Sequence, residues 1–100
     1  MNSSKDDLKK FADFLKQFKE NPKRYKKILI ETYFTGSDSS VEQKYENDLV
    51  IEEFKDFILD AMTQLAKYEI IYWNEDPSYI YFHFNSIADK VSVWLTCYKN

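Results

Sequence analysis

The stretch Lys26-Lys27-Ile28-Leu29-Ile30-Glu31-Thr32-Tyr33-Phe34-Thr35 decides the fold, because it reads in two ways. Read as a helix, Asn21 caps it and Pro22 opens it. Tyr25, Ile28, Leu29, Thr32 and Tyr33 then align, and Gly36 ends it. Read as a strand, Ile28, Ile30, Thr32 and Phe34 face one way, with Leu29, Glu31 and Tyr33 opposite. The β-branched and aromatic content of the run favours the strand. Gly36-Ser37-Asp38-Ser39-Ser40 is then a turn, and Val41 to Tyr45 alternates as a short return strand. A helix here would instead build three helices followed by a β wing, a winged-helix shape.

Upstream, residues 4–20 read as a helix. Ser4-x-x-Asp7 fits a capping box in which Asp replaces Glu. Leu8, Phe11, Leu15 and Phe18 fall on one stripe with Phe14 beside it, and Asn21-Pro22 stops the helix. Downstream, Asn47 or Asp48 caps a second helix over 49–67, with Val50, Phe54, Phe57, Ile58, Ala61, Met62 and Leu65 as its apolar face. Three strands follow at about 69–73, 79–84 and 91–98, joined by the turn Asn74 to Ser78 and a looser connection from Asn85 to Lys90. The order α-β-β-α-β-β-β predicts an α+β fold, an antiparallel sheet with two helices on one face, in a single domain spanning 1–100. The expected core joins Phe54, Phe57, Ile58, Leu65, Phe82, Phe84 and Leu95, with Leu8, Phe11 and Leu15 against them.

Composition narrows the function classes. The chain has 100 residues, with one Gly, one Cys and one His. One Gly excludes Gly-rich phosphate loops, and one Cys excludes an internal disulfide and multi-cysteine zinc sites. No apolar run is long enough to span a bilayer, so no membrane partner is expected. The Lys-rich start leads into an amphipathic stretch without a signal-peptide core, and the single Cys97 fits a reducing compartment; the expected location is the cytoplasm. Net charge is −3 but unevenly spread: residues 1–30 carry nine basic and four acidic side chains, residues 31–100 five basic and thirteen acidic. The basic run from Lys19 to Lys27 is the only feature that suits nucleic acid, and one basic run on an acidic chain argues against that partner.

Two candidate binding surfaces emerge. On the strands 79–84 and 91–98, Ile80, Phe82, Phe84, Val91, Val93, Leu95 and Cys97 form the face the helices need. Tyr79, Tyr81, His83, Trp94 and Tyr98 lie on the opposite one, and Tyr and Trp bring apolar area with a polar tip, which suits a partly wet interface. The second surface is acidic: Glu52, Asp56 and Asp60 repeat at helical spacing with Glu53 adjacent, a like-charge row that weakens an isolated helix. Neither His83 nor Cys97 has a catalytic partner placed by the sequence, so no catalytic residue is assigned. Asp38, Asp48, Glu75 and Asp76 lack calcium-loop spacing, so no metal or other cofactor is assigned.

The strand followed by Phe34-Thr35-Gly36-Ser37-Asp38-Ser39-Ser40-Val41-Glu42 resembles the strand and Gly-Ser-Gly-Asp-Ser-Gly turn of a group of small uncharacterised bacterial, plasmid and phage proteins. Gly36 is the one glycine of the three that this chain keeps. Tyr72-Trp73-Asn74-Glu75-Asp76 before Tyr79-Ile80-Tyr81-Phe82 is similar to the Trp-Glu-x-Asn-Asp-like turn and hairpin of the same group. The layout is also similar to that of some small immunity proteins that neutralise secreted bacterial toxins. The resemblance implies an α+β fold and carries no catalytic residue. Together with the charge and the aromatic face, it leads to an expected function: a non-enzymatic inhibitor of the immunity or phage anti-defence type, binding a basic toxin or defence protein. A winged-helix DNA-binding regulator using residues 19–27 is the alternative.

Overall fold

The structure is a computed structural model and describes residues 4–100. Helix α1 spans Lys5–Glu20 and strand β1 spans Tyr25–Phe34. Strand β2 spans Ser40–Glu46, followed by helices α2 (Asp48–Glu53) and α3 (Lys55–Thr63). Strands β3 (Glu69–Asp76), β4 (Tyr79–Ser86) and β5 (Val91–Lys99) complete the chain. The fold is α+β, with one five-stranded sheet in the order β2-β1-β5-β4-β3, antiparallel throughout.

The ambiguous stretch is strand β1. Its burial alternates as the strand reading requires, with Ile28 and Ile30 buried and Leu29 and Glu31 only partly so. The three-helix shape with a β wing is not formed, since residues 25–34 are a strand. Both expected caps form. Ser4 Oγ accepts the Asp7 N–H at 3.1 Å, and Asn47 Oδ1 accepts the Val50 N–H at 2.9 Å. Asn47 holds φ +67° with ψ 152°, a positive-φ conformation that residues other than Gly rarely adopt. The Asp7 carboxylate accepts a hydrogen bond from Trp73 Nε1 at 2.9 Å, which ties the first turn of α1 to β3.

The core lies between the helices and one face of the sheet. Phe11 meets Phe82 and Phe84 edge-on, both at 5.0 Å between ring centroids, and Phe14 and Phe18 close on Tyr25. Ile51, Ile58 and Met62 fill the rest against Ile28, Ile30, Leu95 and Cys97. Burial raises the Cys97 thiol pKa well above its ordinary value, so this side chain packs as a small hydrophobe.

Three expectations are corrected. The helix expected over 49–67 is divided at Phe54 (φ −101°, ψ 19°) and ends in a 3-10 turn over Gln64–Lys67. Its buried stripe is Ile51, Ile58, Met62 and Leu65, so Phe54 (47% exposed) and Phe57 (60% exposed) leave the expected core. Phe57 packs instead on Tyr45 of edge strand β2. On α1, Leu8 is 44% exposed, and the buried stripe is Phe11, Phe14 and Phe18. The turn expected at 74–78 shrinks to Pro77-Ser78, because Asn74, Glu75 and Asp76 pair with Tyr81, Ile80 and Tyr79.

Glu75 joins three elements: it accepts hydrogen bonds from Lys10 of α1 and from Lys99 of β5, the latter at 2.9 Å. The hydrogen bond from Lys10, then that from Lys99, hold its carboxyl below the usual range.

Two outcomes follow for stability. Ile58→Ala is expected to cost about 2–5 kcal/mol in urea melts, as for a filled core site, and Phe57→Ala less than about 1 kcal/mol. A depressed folded-state pKa stabilises above the unfolded value and ceases to do so as pH falls through the folded one. The stability gap between the protein and Glu75→Gln is therefore expected to be largest at neutral pH, about 1 kcal/mol or less for part-exposed partners. It closes below about pH 4, as read by thermal melts across the acid range.

Candidate functional site

Alternation along the strands places a second set of side chains on the sheet face away from the core. Reading across the ladders, Glu42, Glu31, Trp94, His83 and Tyr72 form one row. Lys44, Leu29, Thr96, Tyr81 and Asn74 form the next, and Glu46, Lys27, Tyr98, Tyr79 and Asp76 the third. Tyr33 lies beside the first row, opposite Ser92. Each aromatic residue of this face is partly or largely exposed.

Their rings are in contact. His83 stacks on Trp94 with centroids 4.3 Å apart and planes 12° from parallel, and Tyr33 meets Trp94 edge-on at 5.1 Å. Tyr72 and Tyr81 lie 6.0 Å apart, and Lys27 Nζ sits 5.3 Å over the Tyr98 ring. Asn74 Nδ2 donates to the Tyr79 hydroxyl at 3.3 Å. Two shallow recesses open here. One, of about 290 Å³, is lined by Tyr72, Asn74, Tyr79, Tyr81, Thr96 and Tyr98. The other, of about 260 Å³, is lined by Glu31, Tyr33 and Trp94.

Burial shifts titratable groups on this face. Burial lowers the His83 pKa below the ordinary 6.5, so the imidazole is neutral at pH 7. Its Nε2 is buried without a hydrogen-bond partner. Burial raises the Tyr81 pKa against an opposing hydrogen bond with Trp94.

The expected aromatic residues Tyr79, Tyr81, His83, Trp94 and Tyr98 are thus brought together. Glu52, Glu53, Asp56 and Asp60 are not brought to them: they lie on α2 and α3, whose buried side chains pack on the other face. Glu52 approaches Lys55 at 4.0 Å. Asp60 lines a groove of about 440 Å³ whose walls include Ile30, Thr32, Gln43, Phe57 and Lys67. The basic run disperses, with Arg24 bound to Gln17 and Lys27 on the aromatic face.

Tyr72 belongs to the site and was not singled out in the sequence. Strict alternation from Ile70 would turn Tyr72 inward, but the register shifts between them: Ile70 pairs with Phe84 and Tyr72 with His83. The extra residue, Ile71, forms a bulge that sends Tyr72 outward and Trp73 to the core side. Tyr33 was legible, since it alternates with the buried face of β1.

Among the described residues, no helix is long and apolar enough to cross a membrane. No known protein family, curated protein or solved structure matches the chain.

The buried stacking of His83 has a direct readout. Its imidazole is expected to titrate below 6.5 by NMR, and Trp94→Ala, which removes the covering ring, is expected to move the midpoint up toward 6.5.

Proposed function

We propose that this chain is a non-enzymatic inhibitor or interaction protein of the immunity or phage anti-defence type. It would act in the cytoplasm by holding a basic bacterial protein on the aromatic face of its sheet. One observation carries this reading: Tyr33, Tyr72, Tyr79, Tyr81, His83, Trp94 and Tyr98 share one face and stay partly or largely exposed while the other face holds the core. A contiguous aromatic surface of this kind is the ordinary anchor of a protein interface.

The charge on this face supports a basic partner. The recess lined by Glu31, Tyr33 and Trp94 offers a carboxylate beside two rings, a setting that suits a Lys or Arg side chain. Glu42, Glu46 and Asp76 lie in the same rows, against Lys27 and Lys44. The acids on α2 and α3 lie on the far side, so their part is to raise the encounter rate through the field of the whole domain.

The test uses the chain as bait against a lysate of its source cell, followed by kinetics with the captured protein at two salt concentrations. Trp94→Ala is expected to abolish capture or to raise the dissociation rate about thirtyfold, the equivalent of about 2 kcal/mol at a hot spot. Neutralising Glu52, Asp56 and Asp60 together is expected to slow association and flatten its salt dependence, leaving dissociation unchanged. Unaltered capture and dissociation by Trp94→Ala would show that the aromatic face is not the interface.

A further inference from the structure

The two edges of the sheet are built differently. Edge strand β3 is broken by the bulge at Ile71 and joined to α1 through Trp73–Asp7 and Glu75–Lys10. Edge strand β2 has no bulge in its pairing with β1, from Glu46 through Ser40, and only Tyr45 among its residues is even partly buried. An unbroken, exposed edge presents a row of backbone donors and acceptors to any strand that can pair with it.

The direction of those groups follows from the hairpin. Phe34 N–H bonds to Ser39 O at 3.3 Å, and Asn47 N–H to Lys26 O at 2.9 Å. Antiparallel pairs alternate between bonded and non-bonded, so Val41, Gln43 and Tyr45 turn their backbone groups toward β1. Ser40, Glu42, Lys44 and Glu46 turn theirs outward. Their side chains lie on the aromatic side of the sheet, while those of Val41, Gln43 and Tyr45 lie on the core side.

We infer that β2 is a self-complementary edge and that its occupant is β2 of a second copy of this chain, paired antiparallel about a twofold axis through Gln43. Only registers that place outward-turned residues opposite each other can form the ladder, so a one-residue slip is excluded. In the register centred on Gln43 all seven residues of β2 find partners. Glu42 lies opposite Lys44 of the second copy and Lys44 opposite its Glu42, while Val41 lies opposite Tyr45. Centring on Lys44 would set Lys44 against Lys44 and Glu42 against Glu46. Centring on Glu42 would set Glu42 against itself. Opposite charges in facing positions stabilise a strand pair, and like charges destabilise it.

A second observation points the same way. Within one copy Glu42 lies directly opposite Glu31 of β1, a like-charge pair. Lys44 of the same copy is held by Glu46 at 3.2 Å. The second copy's Lys44 brings a cation to Glu42. On the core side, Val41 is 49% exposed, and the pairing places it against Tyr45 of the other copy, whose ring already meets Phe57. The assembly is an isologous dimer with a continuous ten-stranded sheet, in which both aromatic faces look the same way.

Sedimentation equilibrium of the full chain, run over a wide concentration range at low salt, tests this. The wild type is expected to form a dimer that weakens as salt rises. Glu42→Lys and Lys44→Glu are each expected to weaken it at least tenfold, by setting like charges opposite each other. Glu42→Lys removes the Glu31 repulsion, so it is expected to keep or raise monomer stability, which separates lost pairing from lost folding. The double variant Glu42→Lys/Lys44→Glu restores the dimer, and mixing the two single variants gives a heterodimer. A wild type that stays monomeric at every concentration overturns the inference. So does a dimer indifferent to the single changes, or a double variant that fails to recover it. None of these results depends on the aromatic face, so the partner-binding reading is tested separately.

Discussion

The ladder between β1 and β5 holds the two ends of the chain together. It runs from Tyr25 opposite Lys99 to Phe34 opposite Val91 and brings Ile28 onto Cys97 and Ile30 onto Leu95 in the floor of the core. Without it the sheet would divide into the hairpin β1-β2 and the three-stranded meander β3-β4-β5, neither with a closed core. The ladder also fixes which residues share the outer face. Lys27 reaches Tyr98, Glu31 reaches Trp94 and Tyr33 reaches Ser92 only because β1 lies beside the last strand. Contacts so distant in sequence cost loop-closure entropy before they return any stability. Tyr25, nearly fully buried between Phe14 and Phe18, anchors the first residue of the ladder, and burial pushes its pKa up to about 12.

What could be read from the sequence divides along physical lines. Local signals were legible: the caps at Ser4 and Asn47, the stop at Asn21-Pro22, and the β-branched run that became β1. So was the two-residue period, which separated Ile80, Phe82 and Phe84 from Tyr79, Tyr81 and His83 before any pairing was known. The failures are tertiary. Phe54 and Phe57 match helical spacing as well as Ile51 and Ile58 do, and only the shape of the space beneath the helix selects the aliphatic pair. Tyr72 joined the outer face because a bulge at Ile71 reversed the alternation, and no residue type in that strand announces a bulge.

The separation of the acidic helix from the aromatic face changes how both act. The sequence already sets them apart, since the helices need one face of the sheet and the aromatics lie on the opposite one. In the fold the sheet lies between them, and at physiological ionic strength the field of a charge is largely screened beyond about 8 Å. If the aromatic face is the interface, acids on the far side contribute to approach rather than to contact, and the contact charge comes from Glu31 and its neighbours. The face itself carries that sign, because Glu31, Glu42, Glu46 and Asp76 outnumber Lys27 and Lys44 in its rows.

Glu31 then occupies a position with two neighbours of opposite consequence. On one side it lines the recess with Tyr33 and Trp94; on the other it faces Glu42 across the β1–β2 ladder. The repulsion from Glu42 makes a cation in the recess more favourable, since a bound Lys or Arg relieves two carboxylates at once. A second copy's Lys44 opposite Glu42 would relieve the same pair from the edge. Two cations that neutralise one pair of carboxylates each lower what the other gains. Linkage makes that loss equal in both directions. The magnitude is that of a facing charge pair, about 0.2–1 kcal/mol, enough to bias occupancy of the two surfaces without making them exclusive.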